Sequence, residues 1–202
     1  MYREPRPGIW RVNASRILGV NGTDANSLTK AEIEGRRQVM EIMKFFKKYC
    51  PGFKKAYLMD ITPQVGIRET RHIIGEYIFQ VEDILEEKRF DDTIARGSHA
   101  IDIHNPEGTG GEEKYLRELG INYFEVPYRC LVPLKIENLI VAGRCISAPH
   151  GANSAARNMP TCFALGEAAG LAAVLSLNKY VSFRNVDIRK LRAMLDKQGA
   201  IV

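Results

Sequence analysis

The stretch Asn138–Leu177, NLIVAGRCISAPHGANSAARNMPTCFALGEAAGLAAVLSL, decides how this chain is read. NLIVA (138–142) is short and wholly apolar, as expected for a strand buried on both faces. Gly143-Arg144 reads as a turn, the residues after it as a polar loop, and Met159-Pro160 as the start of a long helix with proline near its first position. Ala164, Gly166, Ala168, Ala169, Gly170, Ala172 and Ala173 leave that helix nearly bare, so it can approach a strand or a flat ligand closely. Its amino end offers amide donors and a positive dipole to an anion. Tight helix–sheet packing produces the same composition, and both readings stay open on these grounds.

Outward from this segment, the chain has 202 residues, enough for one ordinary domain with a real core. Its 45% hydrophobic content excludes disorder, and 17 Gly and 9 Pro without a period exclude a collagen-like chain. Lys plus Arg is 29 and Asp plus Glu 24, a net charge of +5. That excess suits an anionic ligand and is too small and dispersed to demand nucleic acid. The lysines 44, 47, 48, 54 and 55 near Phe45, Phe46 and Tyr49 read as a solvated helix end, with the aromatics on or near an inner stripe. No signal peptide is visible. The apolar run Cys162–Leu177 is interrupted by Glu167 and reads as too short to span a bilayer. Cys50, Cys130, Cys145 and Cys162 have no CxxC spacing, which argues against a zinc or dithiol site and for a reduced, cytoplasmic setting.

The clearest helix begins at a capping box, Thr29 with Glu32, carries Val39, Ile42, Met43, Phe46 and Tyr49 on one stripe, and stops at Pro51-Gly52. Residues 8–19, 55–62 and 71–80 read as strands, 81–88 as a short acidic helix and 96–120 as turns. Residues 122–133 read as extended around Pro127, and Asp187 as the cap of a last amphipathic helix closed by Gly199. There is no repeat and no linker, so the chain is expected to be one compact unit of mixed α/β character.

Four stretches carry a family resemblance: LTKAEIEGRRQ (28–38), VGIRETRHIIGEY (65–77), IDIHNPEGTG (101–110) with VPYRCLVP (126–133), and the run from LIVAGRCIS to ALGEAAGLAA. In this order they resemble FAD-dependent oxidoreductases of the glutathione-reductase-like flavoprotein superfamily. The resemblance implies hydride transfer between a small organic, anionic substrate and FAD, in a Rossmann-like fold. It implies a substrate region at 1–136, a returning strand and flavin-facing helix at 137–178, and a closing helix at 179–202. Gly143, Arg144, Met159, Pro160 and Thr161 then fall at the cofactor, where amide donors would stabilise charge on reduced flavin.

Such flavoproteins hold the FAD pyrophosphate with GxGxxG at a strand-turn-helix. This sequence has none, and the Gly108–Glu113 run (GTGGEE) is neither that motif nor a P-loop. The chain therefore resembles the second half of a larger flavoprotein. Its expected partners are a small-molecule substrate and a GxGxxG-containing half or a second copy of itself, with no membrane or nucleic acid. The alternative is a non-catalytic module completing a flavoprotein whose Rossmann half is a separate chain.

Candidate catalytic groups are His104, His150, Arg157 and Arg68. Arg157 can grip a carboxylate with two prongs, His150 can donate to a substrate oxygen, and His104 can move a proton with Asp102 and Asn105 fixing its tautomer. Arg71, Arg129 and Asn153 are candidate substrate contacts, Arg129 with Tyr128 in the VPYR motif. On a strand, Arg68 would share a side with Thr70, and Glu69 with Arg71. An Arg–Glu tie between segments and a substrate-anion role both remain open there, as solvated roles do for His150 and Arg157. Cys162, in the first turn of its helix, reads as a small hydrophobe rather than a thiolate. No metal site is expected.

Overall fold

The computed structural model describes residues 1–104 and 111–202. It contains helices and small two-stranded sheets, an α/β composition, arranged in two compact units: Met1–Ile67 and Arg68–Val202. The expectation of one compact unit is replaced by this division, and residues 137–178 and 179–202 belong to the second unit together with 68–136.

The first unit pairs β1 (Tyr2–Arg3) with β2 (Trp10–Arg11) antiparallel and carries the 25-residue helix α1 (Ala25–Tyr49). The helix starts earlier than the Thr29 capping box. Asp24 is the cap, its carboxylate accepting from the Ser27 amide at 2.7 Å. Thr29 lies inside the helix, its hydroxyl donating back to the Ala25 carbonyl, and Glu32 accepts from the Val65 amide at 2.5 Å. The aspartate prevails because its carboxylate reaches the free amides of the first turn directly. Only part of the 8–19 strand reading is seen, and 55–62 is not a strand. Phe45 and Tyr49 are exposed and pack on each other at 5.2 Å, rather than lying on an inner stripe, while Phe46 stacks on Phe53 at 5.1 Å.

The second unit holds the main core. After α2 (Val81–Leu85) come β3 (Thr93–Gly97), β4 (Ile101–His104), β5 (Gly111–Lys114) and β6 (Phe124–Pro127). The last three helices are α3 (His150–Ala156), α4 (Met159–Lys179) and α5 (Ile188–Lys197). β3 pairs with β6 and β4 with β5, both antiparallel. The expectation of turns over 96–120 is thus corrected: three strand segments fall there, because each finds an antiparallel partner, β3 with β6 and β4 with β5. The 105–110 part of that reading lies outside the described residues.

Phe79, Ile84, Ile94, Phe124, Leu131, Ile146, Leu165, Leu191 and Leu195 are almost completely buried and form one cluster. Each such side chain contributes about 1.5–3 kcal/mol of apolar burial. α4 lays Leu165, Ala168, Ala172 and Leu175 onto β3 and α5. Its alanines permit this close approach.

Two expected strands are extended segments instead. Residues 71–80 run between two neighbours: the amides of Glu76 and Tyr77 bond to Val132 and Arg129 carbonyls, and those of Ile73 and Phe79 to Cys145 and Ser147 carbonyls. Irregular spacing prevents a ladder, and only the Gly75–Pro133 bridge forms. Asn138–Ala142 is not a doubly buried strand: Asn138 and Leu139 are exposed, Asn138 has φ +57°, and Val141 N–H to Leu131 O is a lone bond rather than part of a ladder. Apolar composition makes a strand only where a partner strand accepts its hydrogen bonds.

The 21-residue α4 extends beyond Cys162–Leu177 at both ends, and by length and composition it is long and apolar enough to cross a membrane. This corrects the reading of that run as too short. One face of α4 is already packed in protein, and a core helix meets the same criterion.

Candidate functional site

The polar loop before α4 contains a helix. α3 is seeded by Pro149, whose carbonyl accepts from the Asn153 amide, and it packs on β4. This brings His150 and Arg157, at the two ends of α3, to the segment Arg68–His72.

Glu69 sits between two imidazoles. His150 Nδ1 lies 2.5 Å from Glu69 Oε2, and His72 Nε2 lies 2.9 Å from Oε1. His72 Nδ1 faces the Ile146 carbonyl at 3.2 Å. Burial pushes the Glu69 carboxyl up, but the hydrogen bonds from His150 and His72 outweigh it and leave it below the ordinary glutamate value. Glu69 therefore pairs with histidines and not with Arg71. The segment is not a strand, and the one-turn spacing from 69 to 72 replaces the alternation expected for one.

Beside this trio, Asp102 on β4 holds two arginines. Arg68 Nη1 donates to its carboxylate at 2.8 Å, and Arg157 Nη2 donates to its carbonyl at 3.3 Å and lies 3.5 Å from Oδ2. Arg157 is the buried member, its side chain 10% exposed. Burial and the nearby Arg68 lower its guanidinium from the ordinary arginine value. Asp102 thus balances two arginines. The His104 side chain, as a candidate proton-transfer group, and Asn105 lie outside the described residues.

The remaining candidates divide. Arg144 is exposed and close enough to Arg157 to affect its charge. Gly143 adopts φ +83°, where a Cβ would be strained, and faces Cys162 in the first turn of α4. Met159 and Pro160 are exposed at that helix start. Thr161 is turned inward: its amide and hydroxyl both donate to the Asn158 carboxamide at 3.3 Å, so it completes the helix cap. Arg71 is exposed and forms no ion pair among the described residues. Arg129 lies elsewhere, clamped to Asp92 at 2.9 Å with its guanidinium over the Tyr77 ring. Tyr128 is buried, its hydroxyl donating to the Phe183 carbonyl at 2.9 Å. The VPYR motif is accordingly a structural clamp. Cys162 is half-buried, its thiol donates to the Arg157 carbonyl at 3.3 Å, and burial raises its pKa, so it stays a thiol.

Sequence reasoning missed His72 altogether and named Glu69 only with Arg71. The signal was the RETRH spacing, which puts Glu69 and His72 one turn apart. Among the described residues no group of three or more His, Cys, Asp or Glu is placed to hold a metal ion.

Two features test the fit of a flat, partly anionic cofactor. Asn153 is fully buried, and neither polar atom of its carboxamide has a partner among the described residues, a state that costs about 1–3 kcal/mol until something meets it. The outer face of α4 presents Phe163, Gly166, Gly170, Val174 and Leu177 uncovered, and a Cβ at either glycine would meet nothing within 4 Å. A flat, glycine-bearing surface broken by the exposed Glu167, with an exposed arginine and a helix start beside it, fits the ring end of a flavin.

A family model described as FAD dependent oxidoreductase matches residues 2–195, and such proteins take FAD as cofactor. No curated protein and no solved structure matches the chain.

Proposed function

The chain belongs to the FAD dependent oxidoreductase family, and from that premise we propose hydride transfer between a small organic anion and flavin, at the junction of α3 and α4. The observation that carries the reading is the convergence of Arg68, Arg144, Arg157 and His150 beside the uncovered start of α4.

FAD, when bound, supplies the two-electron chemistry. Gly143, Arg144, Met159 and Pro160 would hold its ring end, with the exposed cation of Arg144 favouring charge that develops there. Arg68 and Arg157 orient the anionic substrate, Asp102 keeping their guanidinium groups in place. His150 gives or takes a proton at a substrate oxygen. The outer face of α4 excludes water once covered.

In this reading the architecture is Rossmann-like: residues 138–142 become a strand when a partner strand pairs with them. A GxGxxG segment, absent from this sequence, holds the pyrophosphate. That segment belongs to a partner flavoprotein half, and its cover explains the apolar face of α4. The free state of all four cysteines accords with a cytoplasmic setting.

The test is flavin uptake followed by reduction. The chain, mixed with FAD and a GxGxxG-containing flavoprotein half, is expected to acquire flavin absorbance that bleaches with small 2-hydroxy carboxylates, which can give up a hydride. Uptake without bleaching by any such anion selects the non-catalytic module. No uptake in any mixture removes the proposal.

A further inference from the structure

The pairing of Glu69 with two histidines is not required to bind an anion, since a carboxylate among arginines weakens their hold on one. We infer that Glu69 is a positioning residue that fixes His150 in its Nδ1–H form with Nε2 as the reacting atom, and that His72 anchors Glu69 for this task. The inference rests on the reading of His150 as the group that meets the substrate oxygen.

The geometry is specific. An ionised carboxylate only accepts hydrogen bonds, so the 2.5 Å contact from Oε2 places the proton of His150 on Nδ1. Nε2 then carries the lone pair of the neutral ring, and the side chain is about half exposed. The other oxygen, Oε1, is held by His72 Nε2, and the opposite edge of the His72 ring faces the Ile146 carbonyl. Ile146 is fully buried, so the anchor is tied to the core. Glu69 itself is only about one-fifth exposed. The charged groups around the trio are Arg157, which acts on Glu69 from the end of α3, with Arg68, Asp102 and Arg144 beyond it. The hydrogen bonds from both rings outweigh burial and keep Glu69 ionised.

The step this serves balances as a proton transfer. A substrate O–H bond breaks with its electron pair left on oxygen, an N–H bond forms at Nε2, and the ring becomes an imidazolium facing Glu69. The reverse step returns the proton from Nε2.

The test reads the ring directly in the full chain without flavin. Nitrogen-15 spectra of histidine-labelled protein, taken on the alkaline side of the histidine titrations, report each neutral tautomer, and His150→Gln identifies the His150 signals. The expected result is a His150 ring predominantly protonated at Nδ1. Glu69→Ala is expected to shift the tautomer ratio toward Nε2–H by about tenfold or more, the factor a charge-assisted hydrogen bond supports. His72→Ala should give a smaller shift in the same direction. A wild-type His150 ring protonated mainly at Nε2 overturns the inference, whatever Glu69→Ala does. An unchanged ratio in folded Glu69→Ala overturns it as well. In the flavin-loaded protein Glu69→Ala should lower kcat with little change in KM. An Nδ1–H ring that depends on Glu69 supports the positioning even if no substrate turns over, in which case the hydride-transfer reading is the one that falls.

Discussion

Arg129 and Asp92 clamp the second unit across 37 residues of chain: the guanidinium Nε donates to the carboxylate at 2.9 Å, and the Arg129 amide donates to the same oxygen at 3.1 Å. Asp92 thereby fixes both the backbone and the side chain where β6 ends, and holds the arginine well into its charged form. Asp92→Ala removes a buried carboxylate, leaves the Arg129 amide without its partner, and is expected to destabilise the protein by about 1–3 kcal/mol. Arg129→Met loses a half-exposed partner and should cost less, about 1 kcal/mol. Urea unfolding checks both. Weakened substrate binding in Arg129→Met at unchanged stability would return Arg129 to the site.

Gly97 lies opposite Phe124 in the β3–β6 register, and a Cβ there would collide with the aromatic ring. Phe124 is fully buried and packs against Phe79 at 5.8 Å, so it cannot swing aside. Gly97→Ala is therefore expected to destabilise by about 1–3 kcal/mol, the range for overpacking. Thermal unfolding with a midpoint equal to that of the parent protein would show that the ring does have room to move.

The start of α1 is set by Asp24 and not by Thr29. Asp24→Ala should cost α1 about 1 kcal/mol, and Thr29→Ala almost nothing. Amide hydrogen exchange over residues 25–30 checks the order, and equal protection in the two variants would count against the assignment.

Glu69 has a folded-state pKa below its unfolded one, so its contribution to stability is complete above the unfolded value of about 4.3 and is lost as the pH falls through the lower folded value. The stability gap between the parent protein and Glu69→Gln should accordingly be constant on the neutral side and close in acid. Chemical denaturation at a series of pH values measures it. A gap that persists below both values would mean that the carboxylate charge is not what the histidines hold.

Arg144 is exposed, and its replacement by alanine should change stability by less than about 0.5 kcal/mol. In the flavin-loaded protein the same change should weaken flavin retention several-fold, followed by fluorescence on dilution. Loss of stability with flavin retention intact would assign Arg144 to the fold alone.

Elements whose causes are local could be read directly from the residues. α4 and α5 start at or beside the residues expected, Pro160 and Asp187, because caps and helix periodicity act over three or four residues. Motifs in one order along the chain also sufficed to place it among FAD-dependent oxidoreductases. Tertiary structure decided what depends on the path of the chain. His150 meets Glu69 across 81 residues, Arg157 meets Asp102 across 55, and Arg68 meets Asp102 across 34. A periodicity cannot encode such meetings, since it describes one element at a time. The same limit explains Asn138–Ala142, whose apolar composition was plain but whose pairing depends on which segment lies beside it. Residues such as Arg129 and Tyr128 were legible as important, and only their buried partners, Asp92 and the Phe183 carbonyl, showed that they hold the fold.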